Sequence, residues 1–167
     1  MNYVRIMRHL TTGQLAVRRI LPAASLTAIE SAIQRSEMTH DGEICFAVEA
    51  ALSTVSLLRG QTARERAIEV FSQIRVWDTE YNNGVLIYLL LADRDVEIIV
   101  DRGIDAKVAN GEWDNICHTM ESAFRQQQFE AGIINGIDAV SYYLRIYFPP
   151  NLKQGGNELP DEPVVFF

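Results

Sequence analysis

The sequence contains few cysteines and no long apolar run. Its 167 residues include two cysteines, Cys45 and Cys117, and both lie in apolar periodic segments. Such a pair predicts buried thiols rather than a disulfide framework or a zinc site. No apolar stretch is long enough to span a membrane, and none follows the first arginines as it would in a signal peptide. We therefore expect a protein of the reducing cytoplasm.

Positive charge is also scarce. The chain has 15 Lys and Arg residues against 22 Asp and Glu residues, which gives a formal net charge of −7. A nucleic-acid backbone is therefore excluded as the main partner, because neutralising phosphates requires a basic face. The first 29 residues are an exception, since they contain four arginines and no acidic residue. We expect this basic segment either to contact an anionic membrane surface or to pair with the acidic remainder of the chain.

The local signatures of several enzyme classes are absent. The sequence contains no Gly-x-Ser-x-Gly, no Walker loop, no His-Glu-x-x-His and no Gly-x-Gly-x-x-Gly. Roles in acyl transfer and in the use of nucleoside triphosphates or dinucleotides therefore have no support. Of the three histidines, His9 and His118 stand apart from other potential ligands and predict surface or core-edge positions.

Helical and strand periodicities alternate along the chain. Apolar residues make up 48% of it, which is enough for the core of one domain. Capping patterns at Thr27, Thr62 and Asn110 predict where three helices begin. Apolar residues at helical spacing and at strand spacing predict the other boundaries. The predicted helices cover residues 12–20, 27–38, 62–75, 110–124 and 133–144, and the predicted strands cover 43–50, 85–91 and 96–100.

The three strands are predicted to form one mixed sheet with helices on both faces. The run 85–91 is continuously apolar, which is typical of a strand covered on both faces. The run 43–50 alternates, so it predicts one buried face. A crossover helix makes these two strands parallel, whereas the short Asp93-Arg94-Asp95 connection makes 85–101 an antiparallel hairpin.

Three parts of the chain differ in composition. Residues 1–22 form a basic segment, residues 23–148 form the α/β domain, and residues 149–167 are rich in Gly, Pro and acidic residues, which predicts a flexible tail. The tail ends in Val-Val-Phe-Phe. We expect these last residues to fray, and the alternative is that they dock on the body of the protein.

Residues 40–148 contain the Asn83-Gly84 turn, the apolar strand after it, the Asp93-Arg94 connection, a V-x-I-x-V strand and the Arg102-Gly103 loop. Together these motifs resemble the TPM domain. The segment FEAGIINGIDAV, residues 129–140, resembles the aromatic-x-x-Gly start of the last helix of that family. The resemblance implies a Rossmann-like α/β/α sandwich with a mixed sheet that contains the hairpin at 85–101.

The family also implies possible functions. It includes thylakoid-lumen phosphatases, photosystem II accessory proteins and a neuronal receptor modulator, and in characterised relatives a divalent ion lies near the glycine-bearing loop. Typical members are exported and often followed by a membrane anchor. They carry an acidic Asn-Asp-type motif ahead of the first helix, where this chain has Leu21-Pro22-Ala23-Ala24.

The predicted strand directions bring several polar loops to one edge of the sheet. Carboxylate and amide oxygens are the ligands that Ca²⁺ and Mg²⁺ prefer. We expect Glu37 or His40 to act as a further ligand or general base, and Arg102 to hold a phosphate group. The alternative is that these polar residues only form turns and helix ends. The predicted metal ligands are Asp78, Asn82, Asn83, Asp101 and Asp105.

Two functions are consistent with this pattern. One is a cation-binding, phosphate-directed site, which would make the protein a metal-dependent phosphatase. The other is a non-catalytic interaction or assembly module with a protein partner, since the sequence has no obvious nucleophile and lacks the upstream acidic motif.

Overall fold

A computed structural model describes residues 3–150 and 157–167. Its sheet contains β1 (Glu43–Glu49), β2 (Gly84–Leu90), β3 (Asp95–Val100) and β4 (Val164–Phe166) in the order β3-β2-β1-β4. The predicted directions are confirmed: β1 and β2 are parallel, and β2 and β3 form the antiparallel hairpin. The helices are α1 (Tyr3–Thr11), α2 (Gln14–Ile20), α3 (Ala23–Glu37), α4 (Thr54–Leu58), α5 (Ala63–Gln73), α6 (Arg102–Asp105), α7 (Glu112–Arg125) and α8 (Phe129–Tyr147).

Helices cover both faces of the sheet, which confirms the α/β sandwich. On one face, Ile44, Phe46 and Val48 of β1 pack against apolar residues of α3, α7 and α8. On the other face, Cys45 and Ala47 share a smaller core with α4 and α5. All seven residues of β1 are buried. The prediction of a single buried face was wrong for this strand, because α5 and the C-terminal segment cover the face that its alternation suggested was exposed.

The helix starts in the structure show which of the predicted capping boxes are formed. The predicted capping box at Thr62 and Glu65 is present, with each side chain bonded to the backbone of the other residue. The box at Thr27 is not used, because α3 begins four residues earlier, directly after Pro22. Proline favours a helix start, since its φ is preset and it has no N–H that needs a partner.

The start of α7 also differs from the prediction. Asn110 does not cap this helix; the N-cap position is Gly111, which has φ of +89° and makes no side-chain cap. A backbone with that φ suits glycine, which has no Cβ to clash. Sequence periodicity also missed the short helices α4 and α6 and the first helix, α1.

The C-terminal end of the chain docks on the sheet. Val164, Val165 and Phe166 pair in parallel with Ala47, Val48 and Glu49 of β1, so the prediction that these residues fray was wrong and the docking alternative was correct. The first part of the predicted flexible tail, residues 151–156, lies outside the described residues. The three-part division of the chain therefore stays a prediction.

The basic N-terminal segment pairs with the body. Arg5 and Arg8 both bind the carboxylate of Asp93 in the β2–β3 connection, at 2.8 and 2.9 Å. Pairing with the acidic remainder was one of the two expectations for this segment.

Within residues 3–150 and 157–167, no helix is both long enough and apolar enough to cross a bilayer.

Candidate metal and phosphate site

The hairpin brings two polar segments together at one edge of the sheet. Val85 pairs with Val100, so the residues before β2 lie beside those after β3. The backbone N–H of Asp101 donates to the Gly84 carbonyl at 2.9 Å, and that of Gly103 donates to the Asn82 carbonyl at 2.9 Å. Asn82 and Asn83 therefore lie beside Asp101 and Arg102, as the strand directions predict.

Glycine is required where these two segments touch. A Cβ on Gly103 would lie 2.5 Å from the carbonyl oxygens of both Tyr81 and Asn82. Real Cβ atoms do not approach an oxygen so closely, so another residue would push the two segments apart. The glycine thus lets the turn before β2 and the loop after β3 pack backbone against backbone.

Asn82 links the turn before β2 to Arg102. Its φ of +51° lies in the left-handed region, which asparagine tolerates better than most residues. Its Oδ1 accepts a hydrogen bond from the Arg102 guanidinium Nε at 3.2 Å. The side chain of Arg102 is exposed, and this bond holds it at the same edge of the sheet.

Asn83 is fully buried, and its hydrogen bonds fix the direction of its amide. Its backbone N–H donates to the Thr79 hydroxyl at 3.1 Å, and its Nδ2 donates to the Asp41 carbonyl at 3.0 Å. Because a carbonyl can only accept, Nδ2 is the group that points at Asp41. The remaining atom, Oδ1, is buried and has no hydrogen-bond partner among the described residues.

Asp101 presents a second unsatisfied oxygen. Its Oδ1 accepts from the backbone N–H of Arg102 at 2.7 Å, at the start of α6. Its Oδ2 is buried, and within the described part of the chain it lacks a partner. Leaving a buried acceptor unpaired costs about 1–3 kcal/mol, and more when the acceptor is charged. Among the described residues, Asp101 Oδ2 and Asn83 Oδ1 are thus two buried acceptors without a partner, one on each segment of this edge.

Comparison with known proteins identifies the fold family. The model of the TPM domain matches residues 17–143, well over half of the chain. The protein belongs to the TPM-domain family. No curated protein matches it.

Several solved structures resemble this TPM domain. The BA42 protein of the psychrophilic bacterium Bizionia argentinensis is 30% identical, with a TM-score of 0.75, over 87% of this chain and 94% of that protein. The N-terminal domain of a P. gingivalis protein is 20% identical, with a TM-score of 0.60, over 77% and 79% of the two chains. The N-terminal domain of a Corynebacterium glutamicum protein is 12% identical, with a TM-score of 0.54, over 81% and 82%. The last two likenesses show the fold alone.

The predicted general bases of this TPM domain are engaged inside the fold. Helix α3 ends at Glu37, so His40 lies beyond it. His40 is buried; its Nδ1 donates to the Gly42 carbonyl at 3.1 Å, and its Nε2 shares a hydrogen bond with the Ser36 hydroxyl at 2.8 Å. Both ring nitrogens therefore have partners within the protein, which leaves neither directed at a substrate.

Glu37 is held beside another buried carboxyl group. Burial and the nearby charge of Glu43 raise the pKa of Glu37 to about 9, with a smaller contribution from Asp161. Its Oε1 accepts from the backbone N–H of Ile44 at 2.9 Å. At neutral pH it is protonated, so it is not a base there. Glu43 accepts from the backbone N–H groups of the C-terminal segment, at 3.3 Å from residue 158 and 3.2 Å from residue 159.

Asp78 and Asp105 occupy other surroundings. Asp78 is half exposed and forms an ion pair with Arg75 at 2.7 Å, at the end of the α5 region. Asp105 is exposed and lines a cleft of about 270 Å³ beside β3, together with Arg64 and Trp113. Within residues 3–150 and 157–167, no group of three or more His, Cys, Asp or Glu residues is arranged to hold a metal.

Two residues that support the edge were missed by sequence reasoning. Thr79 and Asp41 hold the backbone and the side chain of Asn83, and thereby direct its Oδ1. The Thr79 bond has a local signal, because a hydroxyl four residues before Asn83 lies in the same turn. Asp41 acts through its backbone carbonyl from 42 residues away, which no pattern of side chains reveals.

Proposed function

We propose that this TPM domain binds one divalent cation, Ca²⁺ or Mg²⁺, through Asp101 Oδ2 and Asn83 Oδ1. The observation that carries the proposal is the pair of buried oxygens on neighbouring segments of the β2–β3 edge that have no partner among the described residues. Oxygen ligands suit both ions. Asn82 Oδ1 is a further side-chain oxygen at this edge, although it already accepts from Arg102.

A site with so few protein ligands would need ligands from outside the protein. Asp101 supplies one negative charge, and Asn82 and Asn83 supply none. Mg²⁺ commonly keeps several waters and binds one or two carboxylates together with the oxygens of a phosphate group. We infer that a phosphate group completes the coordination here, with the Arg102 guanidinium next to it as a second source of positive charge.

Binding has more support than hydrolysis. The two candidate bases, His40 and Glu37, are engaged in hydrogen bonds within the fold, and Glu37 is protonated at neutral pH. Phosphate-monoester hydrolysis also requires strong stabilisation of developing charge, for which the residues at this edge offer Arg102. We therefore propose a cation-dependent phosphate-binding domain, in which any turnover would use water activated by the bound ion.

Calorimetric titration of Ca²⁺ and of Mg²⁺ tests the cation site. We expect binding heat with the unmodified protein and at least a tenfold loss of affinity for Asp101→Asn, which removes the charge while asparagine can still cap α6. Asp78→Asn is the matched control, because Asp78 is paired with Arg75 on the surface and should bind as the unmodified protein does. Absence of heat in the unmodified protein, or equal affinities of the two variants, would refute the site.

Phosphate and phosphomonoester assays separate the two halves of the proposal. With the cation present, inorganic phosphate should bind to the unmodified protein and bind more weakly to Arg102→Gln. If a phosphomonoester is also hydrolysed, and Asp101→Asn abolishes that activity, the phosphatase function is supported. If the cation binds but phosphate does not, the phosphate-directed half is wrong.

A non-catalytic interaction module is the second candidate function. The exposed apolar residues of α1 favour it, because a globular domain usually buries such side chains. This role is independent of the cation site. It predicts that variants on α1 change an interaction while Ca²⁺ or Mg²⁺ affinity stays the same.

A further inference from the structure

The first helix has an inverted orientation. In α1 the polar His9 faces the protein and is 3% exposed, whereas Val4 and Leu10 are 70% and 61% exposed. A surface helix of a globular domain normally turns its apolar face to the core. Here the apolar face points to solvent, so an apolar environment outside the domain would match it.

Specific contacts hold α1 in this orientation. Arg5 binds the Asp93 carboxylate at 2.8 Å and the Gln61 carbonyl at 3.0 Å. His9 Nδ1 accepts from the backbone N–H of Leu52 at 3.0 Å, which leaves the proton on Nε2. That nitrogen lies 3.1 Å from Asp93 Oδ2, close enough for electrostatic attraction but without hydrogen-bond geometry. The inward face is therefore polar and fixed, and rolling the helix over would break these contacts.

The exposed apolar surface extends beyond α1. Helix α4 packs against α1, and α2 follows α1 in the chain. We call the outward side of these three helices the N-terminal face. Its exposed large apolar residues are Tyr3, Val4, Met7, Leu10, Leu15, Val55 and Leu58.

The charge of the N-terminal face is opposite to that of the rest of the protein. The three helices of this face together contain four arginines and no acidic residue, in a chain of net charge −7. Arg18 and Arg19 are exposed and follow Leu15 by three and four positions on α2, so they lie on the same side of that helix. Asp93, which lies beneath α1, has its charge matched by Arg5 and Arg8.

We propose that the N-terminal face binds the surface of an anionic lipid membrane. An amphipathic helix with large apolar residues and arginines is typical of elements that lie in the plane of the lipid headgroups. The apolar side chains would enter the boundary between headgroups and acyl chains, and Arg18 and Arg19 would bind lipid phosphates, each contributing about 1 kcal/mol. A two-fold contact between copies is disfavoured, because it would place the same arginines against each other.

This proposal does not depend on the cation site. Five of the seven exposed apolar residues of the N-terminal face precede residue 17, where the match to the TPM model begins. The face lies at the Asp93 end of the hairpin rather than at the end that holds Asp101.

Vesicle flotation tests the proposal. The full chain is mixed with vesicles of phosphatidylcholine alone, or of equal parts phosphatidylcholine and phosphatidylglycerol. We expect binding to the anionic vesicles and little to the neutral ones. Binding should weaken strongly at about 1 M salt, where the screening length falls to about 3 Å. Arg18→Gln combined with Arg19→Gln should weaken it by about tenfold or more.

A matched pair of double variants tests the apolar part of the contact. Met7→Ser with Leu10→Ser should weaken binding to anionic vesicles by at least about tenfold, since two apolar side chains no longer enter the lipid. Met38→Ser with Ile146→Ser removes two residues of similar exposure elsewhere on the surface and should leave binding unchanged. Circular dichroism should show that both variants remain folded, because all four side chains are exposed.

Three outcomes would overturn the lipid proposal. The unmodified protein could fail to float with either vesicle, it could bind both compositions equally, or the two double variants could bind equally well. The remaining alternative is that a second copy of this chain covers the N-terminal face, and sedimentation of the protein alone tests it. A dimer that the Met7→Ser, Leu10→Ser variant abolishes would assign the face to a second copy of this chain.

Discussion

Glu37 carries a carboxyl group whose chemistry depends on residues far away in the sequence. It lies near Glu43 and near Asp161 of the C-terminal segment, and burial and these neighbours raise its pKa to about 9. Between pH 4.5, the ordinary pKa, and about pH 9, the folded protein therefore holds a proton that the unfolded chain releases. By linkage, this group makes the folded state less stable as the pH rises through that window.

Replacing Glu37 with glutamine should remove that pH dependence. The glutamine side chain keeps an oxygen that can accept from the Ile44 N–H and cannot ionise, so we expect higher stability than the unmodified protein at pH 8–9. Burial also raises the pKa of Asp95, to about 6, so the comparison is best made above pH 6. Melting temperatures measured from pH 6 to 9 should fall for the unmodified protein and stay flatter for Glu37→Gln. If the melting temperature falls equally with pH in the two proteins, the raised pKa of Glu37 is contradicted.

Gly103→Ala should be destabilising although its backbone has no unusual φ. The added Cβ would meet the Tyr81 and Asn82 carbonyl oxygens at 2.5 Å, so the turn and the loop must separate. We expect a loss of about 1–3 kcal/mol, the usual range for overpacking, measured by urea unfolding. Gly13→Ala is the control, because no atom lies within 4 Å of a Cβ at that position. A loss no larger than that of the control would show that the two segments are not tightly packed.

At the scale of elements, β4 combines two roles. It covers the edge of β1, and the segment before it donates two backbone N–H groups to the buried carboxylate of Glu43. The side chain of Glu158 in turn accepts from the backbone N–H of Glu80 at 2.8 Å. The C-terminal segment is thus bonded both to the sheet and to the turn region before β2.

Deleting residues 157–167 should destabilise the whole domain. The deletion would expose the β1 edge and leave Glu43 without two of its donors, which costs about 1–3 kcal/mol for the unsatisfied carboxylate alone. An exposed strand edge also promotes association between chains. We expect a lower melting temperature and a tendency to aggregate, measured by calorimetry and light scattering. A truncated protein that is monomeric and equally stable would show that β4 is dispensable.

At the scale of the whole molecule, cation binding should appear as added stability. A ligand that binds only the folded state at a concentration of about 100 Kd contributes about 2.7 kcal/mol. For a chain of this size that corresponds to a rise in melting temperature of about 5–10 °C. The rise should occur in the unmodified protein and in Asp78→Asn, and should be absent in Asp101→Asn. A similar rise in all three proteins would place the ion elsewhere.

Most of the architecture followed from local pattern. The continuous apolar run of β2, the short connection at Asp93-Arg94-Asp95 and the Thr62 capping box correctly indicated the hairpin, the mixed sheet and the start of α5. These signals work because hydrogen bonding within a turn and apolar periodicity depend on residues close in the sequence. The errors at β4, at the second face of β1 and at the starts of α3 and α7 arose where contacts with distant residues or backbone conformation outweighed the pattern, and the periodicity also missed α1, α4 and α6.

The sequence by itself determined the family, the three strands β1 to β3 and the meeting of Asn82 and Asn83 with Asp101, because strand direction follows from connection length. The tertiary structure decided what each polar group can do. It buried His40 among internal partners, kept the Glu37 carboxyl protonated, and left Asp101 Oδ2 and Asn83 Oδ1 without partners in the described residues. It also turned the apolar side of α1 outward. Burial, charge and hydrogen-bond satisfaction depend on neighbours that only the folded chain brings together, so one-dimensional spacing could not supply them.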